Sequence, residues 1–239
     1  MPVPTGLEMA ASGRLGTGSA GTGRRTAAAA RCGDRTMEGA ALGELSTLAL
    51  WQGDGTRALS LARSAMDITV AAQARDFQIL AELRLGAAEL SLGGNAAARH
   101  AYLQARARAQ EIGSAREHDA SAGLALVALA EDQPAQALAE VEAVLSHVAC
   151  GGTLDCTEEP RRIELTCHQA LARADDPRAA EWLSRAHTAL MAQADAIGQH
   201  AVGADSKQGF LHNIPHHREI VALRSKHSAI GGPPPQSAV

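Results

Sequence analysis

Four short turns recur along the middle of this chain at nearly equal intervals, and this repetition constrains the fold more than any other sequence feature. Each turn is rich in Gly, Pro, Asn, Asp or neighbouring polar residues, which end or begin helices. The four are Gln52-Gly-Asp-Gly55, Leu92-Gly-Gly-Asn95, Glu131-Asp-Gln-Pro134 and Ala174-Asp-Asp-Pro177. A spacing of about forty residues is typical of a repeat protein.

Small and aliphatic residues follow each turn at the spacing of one helix face, i, i+4 and i+7. The sets are Ala58/Ala62/Ala65, Ala98/Tyr102/Ala105, Ala137/Val141/Val144 and Ala179/Leu183/Ala186. A second apolar stripe precedes each turn, as in Leu42, Leu45, Ala49 and Leu50. The pattern predicts an all-α fold in which each repeat is a hairpin of two antiparallel helices. Because one hairpin leaves an apolar side uncovered, the hairpins must stack into an α-solenoid.

Composition supports helices and excludes some classes of partner. The chain is rich in Ala and only 2% aromatic, which favours closely packed helices over β-structure. The net charge is −4, and the five Arg of residues 1–38 against three acidic residues leave the remainder at −6. This charge does not suit direct binding to nucleic acid. With no long apolar run, no secretory signal and few Cys, we expect a cytoplasmic protein without a membrane segment.

The two ends of the chain differ from the repeats. Residues 1–37 are rich in Gly, Ala and Arg without apolar periodicity, so we expect them to be disordered, as we do the Pro-rich tail 227–239. Residues 38–200 hold the four hairpins, and residues 201–226 form a closing helical element. Pro215 is expected to begin its last helix. Its apolar residues would cover the open end of the stack: Phe210, Leu211, Ile214 and Ile220.

Several of these residues resemble the tetratricopeptide repeat. Leu85-Gly86 is followed by Gly93, Ala98, Tyr102 and Ala105, and Gln52-Gly-Asp54 by Ala58 and Ala65. The period exceeds the usual 34 residues by about five to eight, as in the extended repeats of large bacterial signalling ATPases. These include transcriptional activators of the maltose-regulator type and proteins with an adenylate/guanylate cyclase head. The segment from Phe210 to Ile220 is similar to the closing segment of such proteins, although Lys207 stands where Arg is more usual.

This resemblance, which covers about residues 39–224, implies a function. It implies a C-terminal fragment that serves as a non-catalytic protein-interaction or signal-sensing tail of an ATPase-linked regulator or cyclase. The residues themselves contain no catalytic constellation, so we expect no enzyme activity and no cofactor. The glycines from Gly16 to Gly21 match a phosphate-binding loop in spacing alone, since no strand precedes them and no Lys follows.

The alternative function is a small-molecule sensor that holds its ligand in the concave side of the solenoid. A large apolar pocket with few converging polar groups would favour the sensor, whereas an open polar groove would favour a protein or peptide partner. A buried acid/base pair in a cleft would instead favour an enzyme. Polar residues of the first helices are candidates for the groove, namely Glu44, Glu82, Arg84 and Glu89, of which we select Glu44 and Arg84.

The remaining reactive side chains are interpreted as structural. Cys150, Cys156, Cys167 and His168 lack the paired arms of a zinc site, and Cys167 lies on a predicted core face. Two acidic pairs, Glu158-Glu159 and Asp175-Asp176, are expected to cap helices. Solvated positions are expected for His212, His216, His217, Arg106, Arg108, Arg161 and Arg162.

The first helix has no hairpin before it. Around Leu42 and Leu45 it should expose apolar surface that earlier repeats would cover in a longer protein. We therefore expect the isolated chain to self-associate or to be only marginally stable.

Overall fold

Every regular element is an α-helix in the part of the chain that the computed structural model describes, residues 19–198 and 203–230. Side chains are described over residues 35–198 and 206–227. The ten helices of these residues are α1 (Ser19–Trp51), α2 (Gly55–Ala71), α3 (Arg75–Ser91), α4 (Asn95–Ile112), α5 (Glu117–Ala130), α6 (Pro134–Ala149), α7 (Pro160–Arg173), α8 (Ala179–Gly198), α9 (Gly203–His212) and α10 (Pro215–Ile230). The all-α prediction is confirmed.

The first eight helices form four hairpins that stack in sequence order. Within a hairpin the two helices pack together, and the second helix of each hairpin packs on the first helix of the next. The first helices α1, α3, α5 and α7 also contact one another in succession. This arrangement confirms the predicted α-solenoid.

Each helix from α1 to α7 ends in the same type of turn. After the end of each of these helices, a single residue has a positive φ. The N–H of the residue that follows it donates to the carbonyl oxygen of the residue five positions before that donor, at 2.8–3.0 Å. This is the Schellman motif, which satisfies carbonyls that the helix end leaves unpaired. The seven positive-φ residues are Gly53, Gln73, Gly93, Gly113, Asp132, Gly151 and Asp175. The four predicted turns all lie where expected.

Small residues on the second helices form the centre of the packing. Ala58, Ala62 and Ala65 of α2 are fully buried, as are Ala137, Val141 and Val144 of α6. Side chains of this size let the two helices of a hairpin approach closely. Cys167 is buried in the same core, as predicted, and burial raises the pKa of its thiol.

The last two helices cover the end of the stack. Leu211 of α9 and Ile220 of α10 are buried against Leu183 and Leu190 of α8. Pro215 begins α10, as expected for a residue that lacks the N–H a helix start leaves unused. The closing role predicted for this segment is confirmed.

The structure differs from the sequence prediction near the ends. Helix α1 begins at Ser19 and α10 continues to Ile230, whereas the predicted bounds of the helical part are residues 38 and 226. Residues 27–30 are all Ala, the residue type with the highest helix propensity. The Gly and Arg content of the segment obscured this helix signal in the sequence. Residues 1–18, including Gly16, and 231–239 lie outside the described residues.

Candidate functional site

The concave side of the solenoid encloses a cavity of about 310 Å³. All four first helices contribute to its wall, and α10 lies across it. Most of the wall is apolar, formed by Leu50, Trp51, Ala87, Leu90, Leu126 and Leu165. The polar groups come mainly from α3, α7 and α10 and include Arg84, Glu159, Arg162, His216 and Glu219.

The cavity is closed where the last helix meets the first hairpin. The rings of Trp51, at the end of α1, and His216, in the first turn of α10, lie edge to face with their centroids 6.4 Å apart. These residues are far apart in sequence, and the curvature of the solenoid brings them together. This contact bounds the cavity on the side of α10, and the cavity is otherwise open to solvent.

Arg84 is the buried cation of this pocket, with only 8% of its side chain exposed. Its guanidinium lies 3.2 Å from Glu44, 3.5 Å from Glu158 and 3.9 Å from Glu159. Glu44 is 66% exposed, so it approaches Arg84 from the solvent side. The structure thus brings together the two residues selected from the sequence. Two other candidates face the second helices instead and pair there: Glu82 with Arg108 at 2.8 Å and Glu89 with Arg63 at 3.0 Å.

Glu159 and Arg162 form the second charged pair, at 2.9 Å. Burial alone would raise the pKa of Glu159, but the charges of Arg162 and Arg84 outweigh it and hold that pKa at about 2. Glu158 and Glu159 lie at the start of α7, as predicted, and Glu159 is its N-cap residue, but the side chain of Glu159 makes no capping hydrogen bond and Glu158 pairs with Arg116 at 2.7 Å.

Asp119 of α5 caps α7 instead. Its carboxylate accepts hydrogen bonds from the N–H of Glu158 at 3.1 Å and of Glu159 at 3.3 Å. Burial raises the pKa of Asp119 to about 6, more than these hydrogen bonds lower it. Sequence analysis missed this residue because nothing in the spacing shows that one helix is capped by the preceding first helix.

A small inner cavity of about 20 Å³ lies behind the charged pairs and shares Arg84, Glu159 and Arg162 with the main one. Tyr102 reaches it from α4. The Tyr102 hydroxyl, which lies beside Arg162, and the Nε of Arg84 are buried there, and neither donates to an acceptor among the described residues. Burial raises the pKa of Tyr102, so it remains a neutral phenol. The pocket therefore ends in two hydrogen-bond donors.

Two of the three histidines expected on the surface are in fact packed. His217 is buried, with Nδ1 2.9 Å from the carbonyl of Phe210. His216 is half-buried in the pocket wall, and burial lowers its pKa to about 3, so the ring is neutral near pH 7. His212 is exposed as predicted. Adjacent residues of a helix point in different directions, as the prediction assumed. Because α10 is packed on more than one side, His216 and His217 are nevertheless both covered.

The arginines expected in solvent are likewise paired with carboxylates. Arg161 is buried 2.9 Å from Glu164 of the same helix, and Arg106 is half-buried 2.6 Å from Glu140 of α6. Arg108 is half-buried beside Glu82 of α3. The sequence shows the charges, but not that the partners of Arg106 and Arg108 lie on other helices. The expected cap at Asp176 is present, since its carboxylate accepts from the N–H of Arg178 at 2.9 Å.

The pocket carries both positive and negative groups. Its two arginines face carboxylates and its histidine is neutral, so the charges largely balance one another. Within the described residues, no group of three or more His, Cys, Asp or Glu has the arrangement needed for a metal ion. No helix in that part of the chain combines the length and apolar character needed to cross a membrane.

Comparison with protein-family models, curated proteins and solved structures finds no match for this chain.

Proposed function

We propose that this chain is a non-catalytic, signal-sensing helical-repeat module that binds its ligand in the concave pocket. The observation that carries the proposal is the convergence of all four first helices and α10 on one cavity of about 310 Å³. Ligand pockets usually have volumes of about 300–1,000 Å³ and mostly apolar walls with a few convergent polar groups. This pocket has a volume at the small end of the range and a mostly apolar surface, and nine of its sixteen lining residues supply polar groups.

The geometry favours a small molecule over an extended peptide. Helix α10 crosses the concave side, and the contact between Trp51 and His216 bounds the space. A peptide that follows the groove would have to displace α10, whereas a compact molecule fits beside it. The charge balance and the unpaired donors of Arg84 and Tyr102 suit an uncharged, largely apolar ligand with an oxygen acceptor at one end.

Trp51 allows a direct test, since the chain contains two Trp and the other, Trp182, is buried in the core. In a Trp182→Phe variant, a library of small neutral compounds is screened by Trp51 fluorescence and by melting temperature. We expect a hit that changes both.

The specificity of such a hit is tested by filling the pocket. Ala87→Phe places a ring in the cavity and should abolish the response. Ala135→Phe makes the same change on the exposed surface of α6 and should leave it intact. A response that survives Ala87→Phe, in a variant with unchanged circular dichroism, would locate binding elsewhere.

The second candidate is a protein-interaction module, the regulatory tail of a cytoplasmic ATPase-linked regulator or cyclase. The tetratricopeptide-like residues and the segment from Phe210 to Ile220 support it by resemblance, and the ion pairs between successive hairpins support a rigid scaffold for a partner. The two candidates are compatible if ligand binding alters a protein contact. The purified chain should not hydrolyse ATP, and an ATPase encoded immediately upstream in the same DNA would favour the regulator.

A further inference from the structure

Helix α1 carries an uncovered apolar stripe on a different face from the one that lines the pocket. Met37, Leu45 and Leu48 are 64%, 43% and 46% exposed, and Ala41 between them is also exposed. Their spacing of four, four and three residues places all four side chains on one side of the helix.

The repeat shows what such a face normally contacts. The Schellman turns align the first helices, because their acceptor carbonyls belong to Ala49, Glu89, Ala128 and Leu171. In this register the position of Leu48 corresponds to Ala88, Val127 and Ala170, all fully buried. The position of Leu45 corresponds to Leu85, Leu124 and Cys167, and that of Ala41 to Ala81, Ala120 and Ile163.

These equivalent residues pack on the hairpin that precedes them. Ala88 joins a cluster with Ala49 and Ala58 of the first hairpin, and Val127 joins one with Tyr102 of the second. Ile163, Cys167 and Ala170 lie against α5 and α6. The stripe on α1 is therefore the repeat's standard stacking face, here without the helices that cover it in the other repeats.

A second copy of this chain could cover the stripe in only one way. Head-to-tail stacking would need the far end of the solenoid, but α9 and α10 cover that end, with Leu211 and Ile220 packed on α8. The chain outside the described residues, 1–18 and 231–239, lacks the apolar periodicity of a hairpin. Association through a twofold axis remains, because the same face of both copies then meets.

The stripe is self-complementary in an antiparallel arrangement. With the axis near the middle of the stripe, Met37 faces Leu48 of the other copy, and the small Ala41 faces Leu45. Large side chains thus meet small ones near the axis, as close packing requires. The same arrangement brings the exposed Arg35 towards the C-terminal end of the other α1, where a positive charge is favourable.

We propose that two copies of this chain form a twofold dimer through the Met37–Leu48 face of α1. Sedimentation velocity of the full chain should show a dimer of the 24.7 kDa protein. Leu45→Glu should raise the dimer dissociation constant more than about a hundredfold, because it removes two buried leucines per dimer. Leu103→Glu replaces an equally exposed leucine on α4 and should leave the dimer intact.

A crosslink keeps the test independent of the folding of the charged variant. Replacing Leu45 by p-benzoylphenylalanine should give a covalent dimer on irradiation, and the same replacement at Leu103 should not. A monomer at all concentrations, equal weakening by both glutamates, or crosslinking from position 103 alone would overturn the proposal. A monomer would also point to a further hairpin of a longer polypeptide as the natural cover.

Discussion

Tyr102 occupies a slot that two glycines on the flanking first helices leave open. A Cβ at Gly86 would lie 2.9 Å from the Tyr102 ring, and one at Gly123 only 2.3 Å from it. The ring therefore passes between α3 and α5 and delivers its hydroxyl to the inner cavity. The resemblance to the tetratricopeptide repeat associates Leu85-Gly86 with Tyr102. The structure shows that the Tyr102 ring needs the space at Gly86, and that it needs the space at Gly123 as well.

Gly123→Ala is expected to destabilise the protein although Ala is the better helix former. The steric conflict with a buried ring should lower the free energy of unfolding by roughly 1–3 kcal/mol. The matched control is Gly43→Ala in α1, where a Cβ meets nothing closer than 3.8 Å. This control should be neutral or stabilising by up to about 1 kcal/mol. Urea unfolding measures both, and equal effects would contradict the slot.

Asp119 should make stability depend on pH in a defined window. Its pKa is about 6 in the folded protein, against a usual 3.8. Between these values the unfolded chain releases a proton that the folded chain retains, so the free energy of unfolding falls as pH rises from about 4 to 6. Asp119→Asn keeps an oxygen to accept from α7 and removes this penalty.

The Asn variant should therefore gain stability relative to the wild type as pH rises from 4 to 7, by up to about 3 kcal/mol. Denaturant titrations at several pH values measure the difference. Asp67→Asn, at an exposed position on α2, should show no such trend. A flat difference for Asp119→Asn would mean that this carboxyl is ionised in both states.

At the scale of the helices, the turns determine the regular stacking. Three of the seven positive-φ residues are not glycine, and Gln73 is the least suited of them because Asp tolerates this conformation better. Gln73 is exposed and its side chain makes no hydrogen bond to another described residue. Its conformation is therefore imposed by the turn alone.

Gln73→Gly should raise the free energy of unfolding by roughly 0.5–1 kcal/mol, since glycine removes the strain at a smaller entropic cost. Gly93→Ala, at the equivalent conformation with nothing near its Cβ position, should lower it by about 1–2 kcal/mol. Thermal or urea unfolding separates the two. Opposite signs are expected, and a loss of stability in Gln73→Gly would contradict a strained turn.

Helix positions could be predicted from sequence better than side-chain environments. Gly, Pro and Asp mark the hairpin turns, so their positions follow from local chemistry. The interpretation of Arg161 and His217 as solvated failed because both are buried, and His217 lies against the carbonyl of Phe210 on α9. The sequence predicts Glu44 and Arg84 as groove residues from their place on first helices; Arg84 lines the cavity, whereas Glu44 contacts Arg84 from the solvent side, and the sequence gives no signal for Asp119.

At the scale of the whole molecule, curvature creates the pocket. Each hairpin is rotated slightly relative to the last, and these rotations add along the stack. The sum brings α10 across the concave side to α1. The repeat spacing predicts that the hairpins stack, but it does not predict the total rotation along the stack, since each rotation depends on the shapes of the buried side chains. The wall from α10, including His216, was therefore not foreseen.

The contact between Trp51 and His216 tests this pocket most directly. In the Trp182→Phe variant with labelled Trp and His, proton NMR should show a nuclear Overhauser cross-peak between the Trp51 indole and the His216 ring, and His216→Gln should remove it. The centroid separation of 6.4 Å brings the ring edges close enough for such a peak. Its absence from a folded sample would mean that α10 does not reach the first hairpin and that the concave side is an open groove.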